Sequence, residues 1–165
     1  MKKKILVIFV LLAILFVVPV VIYHFFYIDN SKISDGKYFI QNCPEYPNAY
    51  IEVKDGKAKF SDIDLNDIYQ DHVISRFIEV EEGKNGQKLS DKERKELVES
   101  INLNQKFCSD FFEIEYDILS SHRSKYEYTY IFSMITEYSG LQCTYDYHEK
   151  RITVENEPKE LVFQK

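Results

Sequence analysis

The sequence lacks tryptophan and has few of the residues that many enzyme motifs require. Its 165 residues include five glycines, four prolines and three cysteines. It contains no Gly-x-Ser-x-Gly elbow for a serine nucleophile, and no Cys-x-x-Cys, His-x-x-x-His or Glu-x-x-His pair that could begin a zinc site. The sequence therefore predicts a protein that is not an enzyme and that holds no metal or other cofactor.

Positive charge is also scarce. The chain has 21 Lys and Arg against 27 Asp and Glu, for a net charge of −6, and three of the lysines stand at positions 2–4. The remainder is therefore more acidic than the whole chain. Such a charge disfavours contact with nucleic acid or with anionic lipid headgroups, and it favours basic partners by charge steering.

One long apolar run lies near the N-terminus. Residues 5–23 carry no charge, and sixteen of these nineteen are Leu, Ile, Val or Phe, which is enough to span a bilayer as a helix. The run is longer than the apolar core of most signal peptides, and aromatic residues follow it where a cleaved signal would have a small-x-small site. We therefore expect an uncleaved anchor that contacts the lipid bilayer through residues 5–27.

The charges on either side of this run predict its orientation. Three lysines precede it and Asp29 follows it, so we expect a single-pass protein of the cell membrane with its N-terminus in the cytoplasm. Three parts are expected: residues 1–28 as the cytoplasmic lysines and transmembrane helix, residues 29–35 as a linker, and residues 36–165 as one extracytoplasmic β-rich domain.

The clearest local structure is a β-hairpin around Asp55-Gly56, a dipeptide that favours the type I′ turn. If Lys54 pairs with Lys57, the apolar residues of both strands share one face and the charged residues share the other. This separation is typical of an antiparallel pair with one buried face.

Alternating apolar and polar residues predict further strands along the domain. They are expected at residues 38–41, 73–80, 112–118, 126–130, 145–147, 152–154 and 161–163. The capping box Ser90-Asp-Lys-Glu93, followed by apolar residues at helical spacing, predicts one helix near 91–102. With the loop 82–88 before it, this helix is expected to lie across the open end or flank of the sheet.

Sequential antiparallel strands of this kind close into a barrel or fold into two packed sheets, and either arrangement removes exposed edges. The meander order favours the barrel. The predicted fold is therefore mainly β, an antiparallel barrel or meander of about eight to nine strands with one helix.

Three segments carry a resemblance to a known family. The segments Asp35–Tyr38, Ala49–Lys57 and Tyr145–Lys165 are similar to the opening and closing strands of small lipocalin-like domains exported by low-GC bacteria. The resemblance implies a β-barrel. It transfers no catalytic or ligand-binding residue to this chain.

Tyrosine is unusually frequent, with 13 in the chain. The row Tyr126, Tyr128 and Tyr130, together with Tyr46 and Tyr50, offers large contact area with polar tips, which is typical of binding surfaces. Two interpretations stay open. The row either covers an outer face as a partner site, or it lines the barrel wall in place of leucine.

The three cysteines leave several pairings open. Cys108 and Cys143 both lie in predicted strands and are the favoured disulfide in an oxidising compartment. A pairing of either one with Cys43 is an alternative, as are three free thiols.

Acidic pairs stand at strand spacing at Asp62/Asp64 and at Glu113/Glu115. Each pair could act as general acid and base or bind calcium, although a solvated sheet face is the commoner meaning of such a pattern. The adjacent residues Ser120-Ser121-His122 predict a loop more readily than a catalytic cluster.

The favoured function is non-catalytic binding. A tethered acidic domain with an aromatic face suits capture of a basic peptide or protein, as an immunity-like or envelope protein would do. The alternative is a lipocalin-like carrier whose tyrosines and phenylalanines hold a small apolar ligand at the barrel mouth. An enzyme is the third alternative and requires a cleft where His122 or His148 meets a carboxylate or thiol. The direction in which the tyrosines point discriminates between the first two.

Overall fold

The computed structural model describes residues 15–19, 32–116, 126–136 and 139–165. Residues 15–19 are helical, and within the described ranges no helix is both long enough and apolar enough to cross a membrane. The predicted span at 5–23 lies mostly outside these ranges. The chain separates into two units, Met1–Ile33 and Ser34–Lys165, and the second unit contains the sheet.

Nine antiparallel strands form one sheet. They are β1 (Gly36–Ile40), β2 (Tyr50–Lys54), β3 (Lys57–Ser61), β4 (Phe112–Glu113), β5 (Glu115–Tyr116), β6 (Glu127–Thr136), β7 (Ser139–Asp146), β8 (Arg151–Val154) and β9 (Leu161–Gln164). Their spatial order is β4-β3-β2-β1-β9-β8-β7-β6-β5. The expectation of a mainly β, antiparallel fold is confirmed.

The two edges of this sheet, β4 and β5, are consecutive in the chain and separated only by Ile114. Phe112 of β4 pairs with Ala58 of β3, and Tyr116 of β5 pairs with Tyr130 of β6. One split strand therefore joins both edges. The sheet is nearly closed into a barrel, which leaves little strand edge exposed.

The hairpin predicted around Asp55-Gly56 is confirmed. Lys54 pairs with Lys57, and the rest of the expected register follows from that pair. Asp55 and Gly56 have φ angles of 51° and 77°, and positive φ at both central residues is the mark of a type I′ turn. Glycine adopts such a conformation without a steric penalty.

Three helices connect β3 to β4: α1 (Leu65–Asn85), α2 (Asp91–Ser100) and α3 (Leu103–Phe107). The helix predicted near 91–102 is α2, and it begins with the expected capping box of Ser90 and Glu93. It buries none of its residues, and an ion pair of 2.6 Å between Arg94 and Glu82 joins it to α1. The expectation that it covers the sheet is wrong, since α1 and α3 take that position.

The strand predicted at residues 73–80 is wrong, because this segment belongs to α1. The prediction of a loop at 82–88 is also wrong for residues 82–85, because α1 continues to Asn85. Gly86 then ends the helix with a left-handed φ of 61°.

Local signals explain why this segment is helical despite its β-branched residues. The side chain of Asp64 accepts a hydrogen bond of 3.1 Å from the backbone N–H of Asp67 and so caps the first turn of α1. Leu65, Tyr69 and Val73 then recur every four residues, and all three are buried. This apolar stripe holds the helix against the sheet and outweighs the local strand propensity.

Alternate residues of the strands face the barrel interior, and the interior differs between its two ends. The end where α1 and α3 pack is called the helix end, and phenylalanines fill it. The Phe60 ring centroid lies 5.7–6.3 Å from those of four other buried rings, Phe107, Phe112, Phe132 and Phe163. The opposite end, called the hairpin end, contains the Asp55-Gly56 turn and the turn at 147–150.

Candidate functional site

Tyrosines gather at the hairpin end of the barrel. Strand pairing sets Tyr116 opposite Tyr130 and Tyr128 opposite Tyr145. Residues that pair across neighbouring strands project from the same face of a sheet, so these side chains share the interior face. With one more from the middle of β1 and two that flank β6 and β7, seven of the 13 tyrosines belong to this group: Tyr38, Tyr116, Tyr126, Tyr128, Tyr130, Tyr145 and Tyr147.

Two of the interior tyrosines have satisfied hydroxyls. The hydroxyl of Tyr38 donates a hydrogen bond of 2.6 Å to the backbone carbonyl of Ser34. The Ser34 hydroxyl lies 2.7 Å from that of Tyr38 and 3.2 Å from that of Tyr145. Burial raises the pKa of Tyr38, so its hydroxyl stays neutral at ordinary pH. This network fixes two rings that meet edge to face, with centroids 6.2 Å apart.

Tyr130 differs from them. Its side chain is 97% buried, and its hydroxyl has no hydrogen-bond partner among the described residues. Burial raises its pKa well above the usual range, and the nearby Cys143 and Tyr116 raise it further. The hydroxyl is therefore a neutral group inside the barrel that can still donate a hydrogen bond. Buried polar groups without a partner are uncommon in folded proteins and need an explanation.

A series of aromatic rings leads from Tyr130 to the surface. The Tyr116 ring centroid lies 5.6 Å from that of Tyr130 and 6.1 Å from that of Tyr128. The Tyr147 ring centroid lies 5.8 Å from that of Tyr128 and 5.6 Å from that of Tyr126. Tyr116 is 38% exposed and Tyr126 is 39% exposed, so the series starts in the interior and ends at the barrel rim.

The five tyrosines selected from the sequence lie in different parts of the barrel. Tyr126 reaches the surface, whereas Tyr128 and Tyr130 are each only 3% exposed and face the interior. Tyr46 and Tyr50 lie at the helix end, where the Tyr46 hydroxyl donates to Asp67 and the Lys37 ammonium lies 4.2 Å from the Tyr50 ring.

Four of the seven tyrosines, Tyr38, Tyr116, Tyr145 and Tyr147, are not selected from the sequence. A signal is present for three of them. Tyr38, Tyr116 and Tyr145 each belong to a run that is correctly expected to form a strand, but the pairing partners of those strands are not known from the sequence. Register with Tyr130 and Tyr128 is what brings Tyr116 and Tyr145 into the site.

All three cysteines are free thiols in this structure. Cys108 lies at the C-terminal cap of α3 and not in a strand, so that expectation is wrong. Burial raises the pKa of Cys108 to about 11, and it raises the pKa of the fully buried Cys143 as well. Cys43 is also buried and contacts Lys159 and Glu45.

The outer face of β6–β9 carries a polar depression of about 360 Å³. Arg151 lines it together with four acidic residues, Glu127, Asp146, Glu155 and Glu160. A neighbouring depression of about 580 Å³ shares Glu155 and adds two further carboxylates, Glu79 and Glu157, beside His72 and Arg76. This outer face is therefore predominantly acidic.

Two of the four acidic candidates, Asp64 and Glu113, have structural contacts. Asp64 caps α1, and Asp62 follows β3 with a positive φ of 57°. Glu113 forms an ion pair of 2.7 Å with Lys57. Across the described residues, no three His, Cys, Asp or Glu side chains are placed to hold a metal ion together. His122 and the serines before it lie outside those residues.

The state of the Tyr130 hydroxyl can be measured through stability. Tyr130→Phe removes an unpaired buried hydroxyl, so we expect it to raise the free energy of unfolding by about 1–3 kcal/mol. Tyr38→Phe removes a paired hydroxyl and should lower that free energy by about 1 kcal/mol. Equilibrium urea unfolding, followed by circular dichroism, measures both. Equal destabilisation by the two variants would show that Tyr130 has a protein partner.

Comparison with known proteins adds no relative from which a site could be transferred. Models of protein families, curated proteins and solved structures all give no match to the chain. The site must therefore be interpreted from its own chemistry.

Proposed function

We propose that the hairpin end of the barrel binds a small, largely apolar ligand that accepts a hydrogen bond from Tyr130. The observation that carries the proposal is the buried Tyr130 hydroxyl without a partner among the described residues. Leaving a buried donor unpaired costs about 1–3 kcal/mol. A ligand with an acceptor at this position offsets that cost, as the few polar groups of apolar binding sites generally do.

The surrounding rings favour a flat ligand. The Tyr116 ring contacts those of both Tyr130 and Tyr128, and Cys143 pairs with Tyr130 across β6 and β7. Aromatic faces of this kind interact well with aromatic or polyene ligands. Because the buried phenol stays protonated, the complementary ligand group is a neutral acceptor such as a carbonyl or ether oxygen.

Two fluorescent probes test this proposal. Prodan, a naphthalene with a ketone, should bind with increased emission, and Tyr130→Phe should weaken its binding about tenfold because one hydrogen bond is lost. N-phenyl-1-naphthylamine, which has no carbonyl, should bind the native protein and the variant alike. The absence of tryptophan leaves the optical background low.

Tyr50→Phe is the matched control, since Tyr50 lies at the other end of the barrel. It should leave Prodan binding unchanged. If neither probe binds, or if Tyr130→Phe and Tyr50→Phe have the same effect, the hairpin end is not the binding site.

A second function, capture of a basic peptide, is supported by the acidic outer face of β6–β9. Glu127, Glu155 and Glu160 stand around one depression, and the chain as a whole is acidic. Charges of one sign around a concave surface raise the association rate of an oppositely charged partner. This surface, and not the row of Tyr126, Tyr128 and Tyr130, is the better candidate for such a partner.

Binding of an oligolysine peptide tests this second function. The variant Glu127→Gln/Glu160→Gln should weaken binding about fivefold, since each exposed ion pair contributes about 0.2–1 kcal/mol. The control Glu96→Gln/Glu99→Gln, on the exposed face of α2, makes the same change in net charge. Calorimetric titration at low and high salt measures both. Equal weakening by the two variants would indicate attraction to net charge alone.

We also propose that residues 5–27 anchor the chain in the cell membrane, with the barrel outside the cytoplasm. The uncharged run 5–23 and the lysines before it support this location. Leu11→Arg/Ile14→Arg should impair insertion, because each arginine costs about 2.5–3.5 kcal/mol at the centre of a span. Alkaline extraction of membranes measures this, and release of the unaltered chain would contradict the proposal.

A further inference from the structure

Three reactive side chains form a triangle at the helix end of the barrel. The Lys159 ammonium nitrogen lies 3.3 Å from the Cys43 sulfur and 2.9 Å from a carboxylate oxygen of Glu45. The Cys43 thiol in turn lies 3.3 Å from that same oxygen and donates to it. The contact places a nitrogen beside a sulfur that oxidants can attack.

Neighbouring hydrogen bonds hold both sides of this triangle in place. Cys43 follows β1, and the side chain of the preceding residue, Asn42, donates to the carbonyl of Glu160 and accepts from the N–H of Val162. On the other side, the Tyr69 hydroxyl donates a 2.7 Å bond to the carbonyl of Lys159. The sulfur and the nitrogen are therefore held at contact distance by the fold and not by their own attraction alone.

The triangle also has access to solvent. The side chains of Lys159 and Glu45 are 34% and 64% exposed, respectively, and the buried Cys43 sulfur contacts both. The hydrogen bond from Lys159 lowers the pKa of Glu45 to about 2, so this carboxylate is ionised at neutral pH and accepts the hydrogen bond of the thiol. A small oxidant can approach where the lysine and glutamate side chains meet water.

We propose that Cys43 and Lys159 form a covalent sulfur–nitrogen bridge when the protein meets hydrogen peroxide. Sulfenic acids are known to condense with nearby thiols or nitrogen atoms, and Lys159 places a nitrogen in contact with this sulfur. The bridge links the segment after β1 to the connection between β8 and β9. It is a modification site, separate from the ligand site at the hairpin end.

The reaction balances with one molecule of peroxide. The thiol first releases its proton to water, and the Cys43 thiolate attacks a peroxide oxygen, so that the O–O bond breaks and hydroxide leaves. The hydroxide takes a proton from the Lys159 ammonium and becomes water. The free amine then attacks the sulfenic sulfur, the S–O bond breaks, and the oxygen leaves as a second water with a proton from nitrogen. Sulfur loses two electrons and peroxide gains them.

The other two thiols serve as internal references. The Cys108 thiol lies near two oxygen acceptors, the carbonyl of Ile63 and the side chain of Asn104, and its raised pKa disfavours the thiolate. Cys143 lies inside the barrel and is fully buried. Among the described residues, neither thiol has the contact with a lysine nitrogen that Cys43 has, so neither is expected to form this product.

Peptide mass spectrometry of the full chain after graded peroxide treatment tests the proposal. Trypsin does not cleave after a bridged Lys159, so residues 38–54 and 152–165 should appear as one linked pair, about 2 Da lighter than the sum of the two free peptides. Dithiothreitol should separate them. The bridge should also raise Tm, because it restricts the unfolded chain.

Two variants separate the bridge from other oxidation. Lys159→Arg keeps the charge near Cys43 but offers a poor nucleophile, so the linked pair should disappear while Cys43 accumulates as higher oxides. Cys108→Ser should leave the linked pair unchanged. The proposal is overturned if Cys43 instead pairs with another cysteine, if the linked product retains oxygen, or if Lys159→Arg gives the same pattern as the native protein.

Discussion

The split strand Phe112–Tyr116 is the constraint on which the rest of the barrel depends. Its first half pairs with β3 and its second half with β6, so one short segment joins the two edges of the sheet. That closure decides which side chains become interior. Pairing partners project from the same face of a sheet. The register that places Tyr116 opposite Tyr130 therefore directs Tyr130, and with it Tyr128 and Phe132 of the same strand, into the barrel interior.

Closure creates an interior whose two ends differ in chemistry. Phe60 and its four aromatic neighbours pack the helix end without polar atoms on their side chains, which is the usual content of a protein core. The hairpin end buries phenols, and each buried hydroxyl needs a partner. Ser34 supplies one for Tyr38, whereas Tyr130 has none in the described part of the chain. This difference is the physical basis for placing ligand binding at the hairpin end.

Short-range patterns in the sequence are enough to predict the Asp55-Gly56 hairpin and the start of α2. They are not enough to predict the tyrosine site, which depends on contacts between distant segments. Asp55-Gly56 predicts its hairpin register because turn type and strand alternation agree, and Ser90 with Glu93 predicts the start of α2 because a capping box is a local interaction. The β-branched residues of segment 73–80 locally favour a strand, whereas the cap at Asp64 that starts the helix lies outside that segment. The direction of Tyr128 and Tyr130 depends on pairing with β5 and β7, which no short window of sequence contains. The contact of Cys43 with Lys159 likewise joins segments 116 positions apart.

The most direct measurement is an experimental structure of the full chain, grown with Prodan, in which density near the Tyr130 hydroxyl is examined. Binding at the hairpin end should place the probe in the barrel interior, with its ketone oxygen within hydrogen-bond distance of that hydroxyl. A Tyr130 hydroxyl bonded to a protein atom, with the hairpin end filled by side chains and the probe elsewhere, would contradict it.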